Sequence, residues 1–521
     1  MRAWGACWRR KNDQVRKRPA PPTCDCYRYS IELGHDICYR ALRTRDVRFD
    51  GRFFTGVTST GVYCRPICPA RTPKPENCVF FVCAAAAEDA GFRACRRCRP
   101  DTAPGTPAWR GTSSTVSRAL RLIGDGALDE AGVEALAERL GVGDRYLRRL
   151  FQEHLGASPQ AIATTRRVHF AKHLIEHTEL PMSQVALTAG FRNVRRFNAA
   201  VRKCFDRTPT EIRKRAPGSR GGRGPLTVLL PVKQPFDWDD MLGWMTSRLT
   251  PGVEQIAGRT YRRSIELSGD VGVIEVSPSR RTEASLSLSV AGELAPHLAA
   301  IAGRVRRQFD LDTDAPAIAE QLGRDPLLAQ VAAEMPGTRV PGCWDRFELA
   351  VRAIVGQQVT VVGATRLFGR IVKRFGRPLP RAAEGGPTHL FPQPHELMDA
   401  DVASIGMPKA RANTIRRLAR AVADGDDVLA LAPDLDTAVR RLRALPGIGD
   451  WTAQYIAMRG LSEPDAFPAG DLGLRKAVRG CEDKLPTPVQ VRRRAEAWQP
   501  WRAYAAMMLW RQGTAAQGEQ Q

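Results

Sequence analysis

Two groups of residues in this chain have types and spacings suited to chemistry. Cys64 and Cys68 stand in CRPIC, and Cys95 and Cys98 in CRRC. Two close cysteine pairs separated by a loop supply four thiolates that can converge on one tetrahedral Zn2+. On spacing alone the plainest outcome is a structural zinc knot. Arg65, Arg71, Arg93, Arg96, Arg97 and Arg99 surround the pairs and add a second reading. They would hold a DNA phosphate beside a sulfur that the metal keeps deprotonated and so nucleophilic. The second group is LPGIGDWTAQYIAMRG (445–460), followed by FPAGDLGL (467–474) with Asp471. Gly447 and Gly449 let a tight turn approach a DNA phosphate, with amide N–H groups of the next helix pointing at it. Read alone, Asp471 is a helix N-cap, a role that still leaves a carboxylate oxygen to work with. Breaking an N-glycosidic bond builds positive charge on the sugar, which a buried carboxylate stabilises while helping a water attack. Trp451, Tyr455 and Trp510 offer rings on which a cationic base would stack, gaining roughly 0.5–2 kcal/mol per ring. Trp498 and Trp501 read as core residues.

These groups need elements to position them, and the 521 residues suffice for about three to four domains. Lys+Arg 79 against Asp+Glu 55 leaves a net charge of +24, which points to a polyanion such as double-stranded DNA. No run approaches the ~18 apolar residues of a membrane span, and MRAWGACWRRKND lacks the apolar core of an export signal. Thirteen cysteines, an odd number unevenly spread, argue for metal or thiol chemistry in a reducing compartment. The expected location is therefore a cytoplasm. Residues 1–37 read as a basic, disordered tail. Pro/Gly-rich stretches at 101–114 and 215–224 read as linkers, the second permitting independent motion of the two halves. Between them, 133–156 and 182–209 each read as helix, glycine turn, helix. Arg145 and Arg148 lie on one second helix, Arg195 and Arg196 on the other, and a long helix at about 160–177 joins the units. Two basic second helices so joined would enter successive major-groove segments. Residues 226–312 alternate in strand fashion, and from Pro316 to about Gln512 the period is helical.

Three family resemblances refine this reading. FDGRFFTGVTSTGVYCRPICPAR (49–71) with AGFRACRRCRP (90–100) resembles the zinc domain of the Ada family. The resemblance implies that Cys64 accepts a methyl group from a DNA methylphosphotriester, with Cys68, Cys95 and Cys98 as the other zinc ligands. Transfer would be stoichiometric, and methylation would remove one negative charge facing the phosphates and raise DNA affinity. The tandem helical units, closing in TPTEIRKR (208–215), resemble the AraC-type DNA-binding domain, with Asp206 where that family usually has Gly and Ile212 where Tyr is common. The stretch 225–512 resembles the AlkA family of alkyl-base glycosylases through PVKQPFDWDDMLGWMTSR, LPGIGDWTAQY, FPAGDLGL and WQPWRAYAAMMLW. That implies catalysis by Asp471, an aromatic pocket of Trp451, Tyr455 and Trp510, and a DNA wedge with Gln358 at its tip. Strand-cleaving members of that superfamily carry Lys where this chain has Trp451, so a monofunctional glycosylase is expected. Carbonyls of the hairpin would also suit a monovalent cation. The family resemblances imply that the cytoplasm is a bacterial one, with the chain in association with the nucleoid.

The expected fold is multidomain and mainly α with α+β parts. A small zinc-bound α/β domain (38–104) precedes an all-α double helix-turn-helix domain (113–216). An antiparallel α+β domain (225–315) and an all-α helix-hairpin-helix glycosylase domain (316–515) follow. The expected function is alkylation repair joined to an adaptive response, by a DNA-3-methyladenine glycosylase II that also senses backbone methylation. RNA polymerase is an expected partner, a membrane is not, and the chain is expected to be a monomer. The alternatives are a regulator whose glycosylase half only binds DNA, and a glycosylase whose zinc is merely structural.

Overall fold

The structure is a computed structural model that describes residues 34–100 (without 47, 48, 96 and 99), 114–215 (without 125 and 179) and 226–518 (without 281–283, 381–383, 433 and 480–483). The expected tail up to residue 33, both linkers in large part, Arg96, Arg99 and Cys481 lie outside the described residues. A helix, His35–Thr44, already begins inside the segment read as tail. Its buried face, Cys38, Ala41 and Leu42, packs on Phe53, Cys78 and Phe80. The sheet beside it has the order β3-β1-β2-β4, with β1 Phe54–Val57, β2 Val62–Cys64, β3 Cys78–Phe81 and β4 Arg93–Ala94. β2 and β4 pair in parallel, the others antiparallel.

The next module is helical, and its apolar periodicity explains why. Val133, Leu136, Ala137, Leu140, Leu147, Leu150 and Phe151, spaced at three and four, are all buried. They join helices Val133–Arg139 and Asp144–Leu155 into the first unit, and Met182–Thr188 with Val194–Phe205 forms the second. Side chains cap the starts of the long helix Pro159–His177 (Ser158), of Val194–Phe205 (Asn193) and of Pro209–Lys214 (Thr208, in a capping box with Glu211). Asp206 ends the second unit's basic helix with φ 56°, the left-handed position where the AraC-type pattern prefers Gly. Its carboxylate compensates by pairing Arg93 of β4 at 2.5 Å.

Residues 226 onward build a five-stranded antiparallel sheet of order β5-β9-β8-β7-β6: β5 Leu226–Pro231, β6 Glu254–Ala257, β7 Thr260–Leu267, β8 Asp270–Pro278 and β9 Ser285–Val290. Leu286, Leu288 and Val290 alternate inward on β9, as SLSLSV requires. Helices from Ala315 onward form the last module around a second core that includes Phe368, Trp498 and Met507. Buried Arg263 on β7 ties sheet to helices through Glu254, at 2.8 Å, and Glu348. No described helix is long and apolar enough to cross a membrane.

The halves do not hang on a free linker. One contiguous core runs from Phe54 and Tyr63 through the helix-turn-helix module to Leu288 and Trp344. His173 of the long helix accepts the Leu229 N–H of β5 at 3.0 Å, and Arg118 of helix Ser114–Gly124 pairs Glu463 at 2.8 Å. A glycine-rich joint has the composition of a flexible linker, but complementary apolar and charged surfaces on distant stretches hold the modules together. That overturns the expected independent motion.

Candidate active site and metal centre

The cysteine quartet follows from strand pairing. Tyr63 of β2 lies opposite Ala94 of β4, so the parallel register sets Cys64 and Cys95 at neighbouring strand ends. The Cys95 N–H fixes this by donating to the Tyr63 carbonyl at 3.0 Å. Cys68 and Cys98 return from the turns that follow. All four sulfurs lie within 4.8 Å of one another, and those of Cys68 and Cys95 are 4.0 Å apart. Tetrahedral zinc–sulfur bonds of about 2.3 Å need separations of about 3.8 Å, so the quartet fits zinc. Four thiolates at these separations would repel one another strongly, and a dication among them would offset that repulsion. Zn2+ is thus the ion that the donor set suits.

The arginines divide. Arg65, expected to hold phosphate, is turned inward: its Nε donates to Asp50 Oδ1 at 2.8 Å and its Nη1 to the Cys98 carbonyl at 3.3 Å. Arg93 is paired with Asp206. Arg71 and Arg97, together with the Arg93–Asp206 pair, line a cavity of about 490 Å3 over Cys64, Cys68 and Cys95. Arg65 takes Asp50 as its partner because a largely buried guanidinium needs a carboxylate, which the local arginine count does not reveal. Cys78 and Cys83 are core residues, as their apolar surroundings suggest.

Behind the quartet sits a polar hub absent from the sequence reading. Glu88 accepts from Tyr63 Oη at 2.8 Å and from Thr165 Oγ1 at 2.6 Å, and lies 3.2 Å from both His169 Nε2 and Cys204 Sγ. Burial raises the Glu88 carboxyl, but His169, Thr165 and Tyr63 outweigh it and hold it below its ordinary value. Residues from the zinc module and from both long and basic helices meet here.

In the last module the turn Leu445–Gly449 joins helices Leu435–Arg443 and Asp450–Arg459. Gly447 has φ 95°, and a Cβ there would collide with Thr414. A Cβ at Gly449 meets nothing, and no side chain caps the helix that starts there. The first-turn amides are thus left without a side-chain cap, as an anion site requires. Gln357 donates to the Gly447 carbonyl at 3.0 Å and to Thr452 Oγ1 at 2.9 Å, binding the Gln358 turn to the hairpin. Gln358 is exposed at φ 56°, beside exposed Val359, Val361 and Val362.

Asp471 stands between two indoles. Trp451 Nε1 donates to its Oδ2 at 3.1 Å and Trp510 Nε1 to its Oδ1 at 2.9 Å. The Leu474 N–H also donates to Oδ1, at 3.1 Å, so the residue does cap helix Leu472–Arg479. Oδ1 is thereby filled, and Oδ2 keeps a second acceptor position. Trp451 stacks on Tyr455 (centroids 5.3 Å apart, planes at 13°), and Trp510 lies 6.5 Å from Tyr455.

Sequence reasoning missed the floor of this site. Two guanidinium groups lie over the Trp244 ring, Arg248 at 4.3 Å and Arg459 at 4.5 Å. Arg459, buried, also donates to Tyr455 Oη at 2.8 Å and to the carbonyls of Pro341 and Gly342. Burial raises the Tyr455 phenol, but Arg459 and Arg248 bring it below its ordinary value. The four-residue step from Trp244 to Arg248 is the one local signal that could have exposed this pair.

In the helix-turn-helix module Arg145, Arg148, Arg195 and Arg196 are exposed on the two basic helices. Arg148 is engaged by Glu134 at 3.2 Å and by Asp144 at 3.7 Å.

Comparisons with known proteins agree with this layout. Residues 37–101 match the metal binding domain of Ada, 136–215 a helix-turn-helix domain, 227–345 the AlkA N-terminal domain, and 351–501 the HhH-GPD superfamily of base excision DNA repair proteins. DNA-3-methyladenine glycosylase 2 of Escherichia coli is 36% identical over 53% of this chain and 94% of its own length. The bifunctional transcriptional activator/DNA repair enzyme Ada of the same organism is 32% identical over 30% of this chain and 43% of its own length. A Mycobacterium tuberculosis protein, described as a probable bifunctional transcriptional activator/DNA repair enzyme AlkA, is 44% identical over 91% of this chain and 95% of its own. This chain therefore belongs to the family of bifunctional transcriptional activator/DNA repair enzymes that join an Ada-type metal-binding module to an AlkA-type glycosylase.

Proposed function

We propose that the chain excises alkylated bases such as 3-methyladenine at Asp471 and records methylation of the DNA backbone on Cys64, becoming a transcriptional activator. The observation that carries the first half is Asp471, held by two indole N–H groups beside the Trp451–Tyr455 stack. The flipped, cationic base lies against Trp451, Tyr455 and Trp510, and Gln358 fills the gap left in the duplex. The hairpin at Gly447 and Gly449 anchors a phosphate. As the C1′–N bond breaks, its electron pair leaves with the base. Asp471 stabilises the oxocarbenium ion, and its Oδ2 takes a proton from the water that adds at C1′. No amine is offered for a Schiff base at Trp451, so an abasic site is the product and the enzyme is monofunctional. A monovalent cation at the hairpin carbonyls belongs to the same proposal and predicts stimulation of DNA binding by potassium.

For the second half, Zn2+ bound by Cys64, Cys68, Cys95 and Cys98 would keep the sulfurs as thiolates. Cys64 Sγ attacks the methyl carbon, and the phosphotriester oxygen departs with the bonding pair as a phosphodiester. The product is a stoichiometric, self-inactivated acceptor. Arg145, Arg148, Arg195 and Arg196 then contact promoter DNA, and RNA polymerase is the partner through which activation acts. This takes place on the bacterial nucleoid, with the chain as a monomer. The decisive experiment measures both chemistries in one preparation. Asp471→Asn should abolish base release and spare methyl uptake on Cys64, while Cys64→Ala does the reverse. Full base release by Asp471→Asn would reject the excision assignment. An unmethylated Cys64 after exposure of the zinc-replete protein to methylated DNA would reject the sensing assignment.

A further inference from the structure

Glu463 opens the segment that leads from the hairpin helix Asp450–Arg459 to Asp471, and it is gripped by the other half of the molecule. Arg118 donates Nε to Glu463 Oε1 at 3.1 Å and Nη2 to Oε2 at 2.8 Å, a bidentate pair. Their side chains are 3% and 5% exposed. Arg121, one turn along helix Ser114–Gly124, adds Nη2 to Oε1 at 3.3 Å. Its Nη1 donates to the carbonyls of Leu461 and Ser462. Ser462 has φ 54°, a left-handed conformation that a non-glycine residue holds only when its surroundings enforce it. The rest of the segment is secured from within its own module. Arg502 clasps Asp465 at 2.7 Å, Pro464 accepts the Ala503 N–H at 2.9 Å, and Gln454 accepts the Phe467 N–H at 3.0 Å. The Asp471 N–H then bonds the Pro468 carbonyl at 2.8 Å. The entry is also tied back to its own helix, by the Leu461 N–H on the Ile456 carbonyl at 3.1 Å and the Glu463 N–H on the Ala457 carbonyl at 3.0 Å, and the regulatory half adds the hold on the Glu463 carboxylate and on the Leu461 and Ser462 carbonyls.

We infer that Arg118 and Arg121 are positioning residues for base excision: by clamping Glu463 and the Ser462 backbone they set the segment that presents Asp471, so the glycosylase reaches full rate only with the helix-turn-helix module docked. This deepens the proposed function and rests on Asp471 as the excising carboxylate. A displacement well under the width of a side chain at a catalytic carboxylate is enough to slow a reaction severalfold to a hundredfold.

The test uses the full chain. In Arg118→Met/Arg121→Met, single-turnover base release from methylated duplex should fall at least tenfold. Affinity for a duplex with an abasic-site analogue should stay within twofold, and methyl uptake by Cys64 should be unchanged. Arg118→Lys, which keeps a cation on Glu463, should recover the rate to within threefold of wild type. A purely structural ion pair predicts another pattern: a lower melting temperature with an unchanged rate per folded molecule, and that result overturns the inference. If the double variant does not fold, Arg121→Ala decides, with at least a threefold loss expected and a wild-type rate overturning the inference. Asp471→Asn run alongside separates the two failures. Retained activity there rejects the role of Asp471, whereas its loss together with a wild-type rate in the arginine variants rejects only the clamp.

Discussion

Replacing Gln358 by glycine should make the protein slightly more stable and a worse enzyme. Gln358 sits at φ 56°, exposed, at the tip of a turn whose neighbour Gln357 is tied to Gly447 and Thr452. A left-handed L-residue costs roughly 1–2 kcal/mol, and glycine avoids that cost. Glycine in turn loses about 0.5–1 kcal/mol more backbone entropy on folding. The balance is a gain of about 0.5 kcal/mol, because an exposed side chain gives up little packing when it is removed. The same change removes the side chain that would fill the gap in the duplex. Flipping a nucleotide costs a few kcal/mol, and if the side chain offsets about 1.4 kcal/mol of it, its loss lowers the flipped population about tenfold. The assays are thermal melting, single-turnover base release at saturating duplex, and 2-aminopurine fluorescence next to the lesion. Gln358→Leu serves as the control, because it retains both the strain and a wedge and should match wild type in melting and rate. A Gln358→Gly protein that releases base at the wild-type rate would refute the wedge. One that melts clearly lower would refute the strain argument.

Three further outcomes follow from buried charge and metal. Arg263→Met leaves Glu254 and Glu348 buried together without their cation, which should cost about 3–5 kcal/mol at pH 7. Without Arg263 both carboxyls would titrate above their unfolded values, so the variant should gain stability from pH 7 to pH 5, read by urea melts at both; a pH-independent loss would contradict this. Glu88 is held below its ordinary value, so its contribution is present above about pH 4.5 and fades as the pH falls through the folded value. Glu88→Gln should cost about 1–3 kcal/mol at pH 7 by facing its donors with an amide. It should also flatten that acid dependence in melts followed from pH 7 to pH 3. Removing zinc with a chelator should abolish methyl uptake while leaving base release within twofold, because Arg118 and Arg121 are carried by a helix outside the quartet's module. A matching loss of both activities would show that the metal supports the docked helix as well.

What could be read from the sequence was what depends on neighbours along the chain. Cysteine spacing foretold the quartet because Cys64 and Cys95 end adjacent parallel strands and each draws its partner from the next turn. The hairpin was legible because Gly447 satisfies a local need, a positive φ pressed against Thr414. Glycine turns between helical stretches likewise marked both helix-turn-helix units. What escaped was chosen across long separations. Arg65 looked like a phosphate ligand until Asp50 claimed it. Trp244 carried only the local sign of Arg248 four residues on, because its other cation, Arg459, reaches it from another helix. Glu88 lies in an alanine-rich run whose partners are residues 63, 165, 169 and 204. The docking of the halves was hidden by the glycine-rich joint, since composition reports how freely a linker can bend but not what the surfaces at its ends recognise.

The bond from the Leu229 N–H to His173 carries a consequence for anyone who cuts this protein in two. β5 is the outermost strand of its sheet, and the long helix of the regulatory half lies against that edge at Leu229. A fragment starting after the glycine-rich joint would leave the Leu229 N–H without His173 and open this edge strand to solvent, a template on which a second copy can add its own strand. Such a fragment should self-associate or precipitate as its concentration rises, and a proline or lysine placed on the outer strand would be the remedy.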